Sequence, residues 1–126
     1  MALSGINGLS VAFDGTTVLA GTQDGLMKAA VGTTSWTQAD SKVNTATAPV
    51  SGLVVNGTRV IASLAYNGIY YTDDLGASWT EYDNNFPGTS GNRPTVNTLG
   101  SDGTVLLASL NNTQTNQFQV YRASAP

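Results

Sequence analysis

The sequence predicts an all-β fold assembled from β-propeller blades, each a four-stranded antiparallel meander, with about three blades in the chain. Three observations predict it. A unit recurs at intervals of 42 to 46 residues. Each unit carries a tight-turn pair at the same place. Apolar residues alternate, and no segment holds a helical period over ten or more residues.

The repeat aligns DGTTVLAGT from Asp14, NGTRVIASL from Asn56 and DGTVLLASL from Asp102. DGLMKA from Asp24 matches NGIYYT from Asn67, and SWTQAD from Ser35 matches SWTEYD from Ser78. Within each unit the first strand precedes the turn, as Leu9, Val11 and Phe13 or as Leu53 and Val55. The turn pairs Asp14-Gly15, Asn56-Gly57 and Asp102-Gly103 are residue types that tolerate the positive φ of tight hairpins. A compact apolar second strand follows, Val18 to Ala20 or Val60 to Ala62. Ala20, Ala62 and Ala108 hold one equivalent position, which suits a strand where neighbouring sheets approach closely. The third strand runs over Leu26 to Val31, Ile69 to Thr72 and Phe118 to Ala123. The fourth begins at Trp36 or Trp79, and both rings are expected to be structural. The third unit ends before its fourth strand. Blade 1 is thus expected at about 5–45, blade 2 at about 46–90 and blade 3 at about 91–126.

Composition bounds the chemistry. Only 10% of the 126 residues are charged and the net charge is −3, against roughly 25% charged in typical soluble domains. Five basic residues cannot build a surface that tracks phosphates, so no nucleic-acid partner is expected. With no Cys and no His, zinc, haem and thiol chemistry drop out, as do Ser-His and Cys-His nucleophiles. No cofactor or metal is expected. Apolar runs are too short for membrane insertion, and the start has neither the basic region nor the apolar run of a signal peptide. Thr, Ser, Asn and Gly supply the polarity, which favours an extracellular or virion-associated setting. NGT at Asn56 and NNT at Asn111 fit the glycosylation acceptor pattern, relevant only in a eukaryotic secretory context.

Thr72-Asp73-Asp74-Leu75-Gly76-Ala77-Ser78-Trp79 resembles the Asp-box (BNR repeat) hairpin of sialidase-like β-propeller proteins, with its pattern S/T-x-D-x-G-x-x-W. Thr72, Asp74, Gly76 and Trp79 match its four positions, and the first unit keeps only Trp36. The resemblance implies a fold, because in that family the hairpin is structural and remote from the active site.

A chain of about 2.7 blades does not close a ring, since propellers use roughly four to eight. Two copies would form six blades and three copies nine, or the chain is part of a longer propeller. A homo-oligomer is expected, the dimer ahead of the trimer because sialidase-like propellers favour six blades. Met1 to Gly5 would then cover the edge of a second copy's third blade. Low charge fits such faces, because desolvating charges there is costly.

Function is expected on the face bearing the long, irregular loops. The candidate ligand-binding residues are Tyr66, Asn67, Asn85, Phe86, Asn92, Arg93, Asn112 and Gln114. Planar amides pair with sugar hydroxyls, and an exposed ring of Tyr66, Phe86 or Tyr82 would take the apolar face of a pyranose. The first reading is a lectin-like, carbohydrate-binding module without catalysis. The alternative is a structural or protein-interaction propeller. A sialidase-like hydrolase comes third: Arg59 lies on the wrong face, Glu81 follows the outer-strand Trp, and only Arg93 could meet a carboxylate. Asp40 and Asp83 lack a partner for a glycosidase pair. Asp73, Asp74, Glu81 and Asp83 read as a solvated, turn-capping acidic cluster rather than a calcium site.

Overall fold

The computed structural model describes residues 8–23, 25–38, 49–64, 67–88, 92–112 and 115–126. Their strands form three successive antiparallel sheets. The first contains β1 (Gly8–Phe13), β2 (Thr17–Thr22), β3 (Gly25–Ala30) and β4 (Thr37–Gln38). The second contains β5 (Val50–Asn56), β6 (Arg59–Leu64), β7 (Gly68–Thr72) and β8 (Thr80–Tyr82). The third contains β9 (Thr95–Ser101), β10 (Val105–Asn112) and β11 (Gln117–Ser124). Every strand pairs with its chain neighbour, so each sheet is a meander, and the third has three strands, as the repeat predicts. Among the described residues there is no helix, hence none long and apolar enough to cross a membrane.

The turns between first and second strands refine the sequence reading. Positive φ falls on Gly15 (103°), Gly57 (64°) and Gly103 (98°), not on the preceding Asp or Asn. The aspartates act through their side chains instead. Asp14 Oδ1 accepts the N–H groups of Thr16 (2.9 Å) and Thr17 (2.7 Å). Asp102 Oδ1 does the same for Thr104 and Val105, at 2.8 Å each. Amides that a tight turn leaves without ladder partners are thereby satisfied. Asn56 reaches sideways and donates from Nδ2 to the Gly103 carbonyl at 3.2 Å, tying the second turn to the third.

Alternation along the strands decides which sheet each residue meets. Val60, Ala62 and Leu64 of β6 pack with Leu19, Leu26 and Leu53 between the first and second sheets. Ile61, one residue out of phase, packs with Leu106, Leu110 and Tyr121 between the second and third. Full burial of each such side chain is worth about 1.5–3 kcal/mol. The strands β1, β5 and β9 lie side by side in that order, and small residues permit it. A Cβ on Gly52 would sit 2.7 Å from Ser63 Oγ and 2.9 Å from Leu99 Cβ.

The middle sheet is covered on both faces, and the end sheets are not. Among the described residues, the large apolar ones left exposed are Val11, Phe13 and Val31 in the first unit and Leu107, Phe118 and Val120 in the third, each 45% to 77% exposed. The expected covering role of Met1 to Gly5 lies outside the described residues, as does Asp40.

Candidate functional site

One end of the sheets carries the β7–β8 hairpin, residues 73–79. Its polar hub is Thr72 and Asp74. The Thr72 hydroxyl donates to Asp74 Oδ1 at 2.6 Å and accepts the Gly76 N–H at 2.9 Å. Asp74 also accepts the Ser78 N–H (2.9 Å) and hydroxyl (2.6 Å). Leu75 and Gly76 adopt φ of 57° and 89° to close the turn. Trp79 then drops into the core between the first and second sheets, with Leu75 packed against the same cluster. Thr72, Asp74, Gly76 and Trp79 thus hold the hairpin itself.

These bonds act on the carboxylates. Bonds from Ser78 and then Thr72 lower Asp74 from 3.8 to about 2, and the Val105 and Thr104 amides lower Asp102 to about 2. A folded-state value below the unfolded one stabilises above the unfolded value and is lost as pH falls through the folded one. The melting temperature is therefore expected to drop as pH falls from about 4 to about 2. A double Asp74→Asn/Asp102→Asn variant is expected to melt lower at neutral pH and to lose less on acidification. Equal melting temperatures for the native chain at both ends of that range would refute this account.

At the opposite end, the β8–β9 connection folds around Arg93. Arg93 is 6% exposed and Phe86 is 4% exposed. The guanidinium donates from Nη1 to the Phe86 carbonyl (3.3 Å), and from Nη2 to Glu81 (3.3 Å) and Asp83 (3.2 Å). It also lies 5.4 Å from the Phe86 ring centroid. Gly68 packs on it: a Cβ there would sit 2.9 Å from Arg93 Cδ. The Phe86 ring meets Tyr121 edge-on at 5.1 Å, and Tyr121 donates to the Asn84 carbonyl at 2.6 Å. Tyr82 donates to the Ser124 carbonyl and accepts from Asn84 Nδ2. Burial, then the neighbouring Tyr82 and Asp83, pushes Tyr121 up to about 12.

The predicted sugar site is rearranged by this packing. Phe86 is a core residue between the second and third sheets, not an exposed platform. Tyr82 is half-buried with its hydroxyl engaged. Arg93 does meet carboxylates, but they are the chain's own. Asn85 and Asn92 remain exposed on the loop. The N–H of half-buried Asn67 donates to the Leu64 carbonyl. Asn112 Oδ1 accepts the Thr115 N–H within the β10–β11 hairpin. Tyr66 and Gln114 lie outside the described residues. The expected acidic cluster is also divided: Arg59 binds Asp73 through two 2.8 Å bonds at one end, whereas Glu81 and Asp83 belong to Arg93. Among the described residues no group of three acids could hold a metal.

No protein-family profile and no curated protein matches the chain. Solved structures do. The chain is similar to the computationally designed Ika4 protein, with a TM-score of 0.60 and 15% identity over 88% of this chain and 62% of that one. It is also similar to the extracellular domain of BT4673 from B. thetaiotaomicron, with a TM-score of 0.66 and 17% identity over 90% of this chain and 16% of that one. The likeness is one of fold alone, and the chain spans less than two thirds of either.

Two roles were hidden in the sequence. Arg59 stacks over Tyr71, 4.3 Å from the ring centroid, while holding Asp73. Lys28 crosses from the first sheet to donate to the Leu75 carbonyl at 3.3 Å. Register makes Lys28, Tyr71 and Arg122 equivalent, because they pair with the equivalent residues Leu19, Ile61 and Leu107. Repeat alignment could have found the Lys28–Arg122 match once the third strands were set in register. Many of the described polar residues near these turns thus bind one another, and the large apolar residues left open among the described residues lie in the first and third units.

Proposed function

We propose that the chain is a non-enzymatic, structural or protein-interaction module of the propeller type, which works as an assembly of copies of itself. The observation that carries this reading is the pair of open apolar faces on the end sheets. The middle sheet leaves no large apolar residue open. A meander buries its two faces only between neighbours, so a stack of three sheets has one neighbour missing at each end. Two copies would provide six sheets, within the range that closes a ring. Light scattering is expected to give about twice the chain mass of 13.0 kDa. A one-chain mass at every concentration would refute it.

Carbohydrate binding at the loop end is the second reading, favoured by the exposed amides of Asn85 and Asn92. It needs a ring other than Phe86 or Tyr82. Binding on a glycan array that an Asn85→Ala/Asn92→Ala variant loses would support it; an array without binding would exclude it.

A further inference from the structure

Resting on the self-assembly reading, we propose that the occupant of the third sheet's open face is the first sheet of a second copy. It docks in the geometry of the internal sheet–sheet contacts, with Arg122 as the cation that sets its position.

The repeat register carries this inference. By register, Leu107 on β10 and Val120 on β11 hold the places that Ile61 and Ile69 hold in the second sheet and Leu19 and Leu26 hold in the first. Those four residues are fully buried beneath the next sheet, whereas Leu107 and Val120 are open. The reciprocal holds at the other end. Val11 and Phe13 occupy the positions of Leu53 and Val55, which pack against the first sheet, yet both are exposed. One open face is the lower half of the internal interface and the other is its upper half. Joining them repeats a contact the chain already makes twice.

Arg122 gives the joint its polar fix. Its equivalent Lys28 reaches over to the Leu75 carbonyl in the next sheet's hairpin. Leu75 also walls the hollow beside Lys28 and Thr17. The third sheet has the matching hollow, about 460 Å³, lined by Val105, Leu107 and Arg122 among others. Trp-to-Trp alignment puts Gly32 of the second copy where Leu75 lies, next to its exposed Val31. The Arg122 guanidinium then donates to a carbonyl of that 31–33 turn, and Val31 enters the hollow. The six large apolar residues exposed among the described residues all lie on the two end units that this one contact joins.

The test uses the full chain and two substitutions at exposed sites, Val120→Glu and Val11→Lys, with circular dichroism to verify the fold. Sedimentation is expected to show each variant alone with its dissociation constant raised by about a hundredfold or more, because every head-to-tail contact then buries a charge. Their mixture is expected to recover a two-chain species, since one of its two possible contacts is unaltered. Arg122→Ala is expected to weaken association about tenfold. If only one of the two charge variants dissociates, copies meet like face to like face, and the proposal falls while self-assembly stands. A mixture that stays at one-chain mass overturns the proposal, and an unchanged constant for Arg122→Ala overturns the latch. A native chain that never associates overturns self-assembly itself.

Discussion

Trp79→Ala is expected to cost about 3–5 kcal/mol of stability, the largest loss from any single truncation in the chain. Trp79 is 8% exposed, and its ring sits among Val60, Leu64, Leu19 and Leu26 where two sheets meet. Truncation leaves a cavity that strands cannot close, because their spacing is held by the β5–β6 and β6–β7 ladders. It also frees the far end of the β7–β8 hairpin, whose Thr72–Asp74 hub then lacks its anchor. Trp36 holds the equivalent place but is only half-buried, so Trp36→Ala is expected to cost less. Urea unfolding at fixed protein concentration, followed by the fluorescence of the remaining tryptophan, measures both. A loss below about 1 kcal/mol for Trp79→Ala would mean that the ring is not packed as described.

Around Arg93 the expected effects run against simple charge counting. Arg93→Ala is expected to cost about 2 kcal/mol, through lost packing on Phe86 and Gly68 and three lost hydrogen bonds. The carboxylates it leaves behind are 42% and 55% exposed, so water re-solvates them. Glu81→Ala/Asp83→Ala is expected to cost more, about 3 kcal/mol, because it strands a buried guanidinium with only the Phe86 carbonyl to bind. Either carboxylate removed alone leaves the other in place and is expected to cost below about 1 kcal/mol. Chemical denaturation of the four variants gives the ranking. A neutral Arg93→Ala would show that the β8–β9 connection folds without its cation.

Architecture was legible because it is local and repeated. A Gly after Asp or Asn, an alternating strand before it and an apolar strand after it recur three times. Each instance reports the same backbone requirement. The loops were less legible at the level of single residues. Phe86 was expected as an exposed ring because its neighbours are Asn, Pro and Gly. In the fold it fills the gap between Ile69 and Tyr121, a contact with a partner 35 residues away in the chain. Arg93 is placed by its loop to meet a ligand's carboxylate, but in the fold its guanidinium is engaged by carboxylates of the chain itself. Nothing in its flanking residues says that Glu81 and Asp83 get there first.

The sequence by itself determined the repeat, the meander and which chemistries these residues cannot supply, those that need Cys or His. Those follow from turn residues, period and composition, which act over a few neighbouring positions. Only the tertiary structure decided which polar residues are already spent and which apolar ones are left over. Leu107 and Ile61 are equivalent in sequence, yet one is open and the other is fully buried. The difference is whether another sheet lies beyond, and a residue's own strand does not encode that.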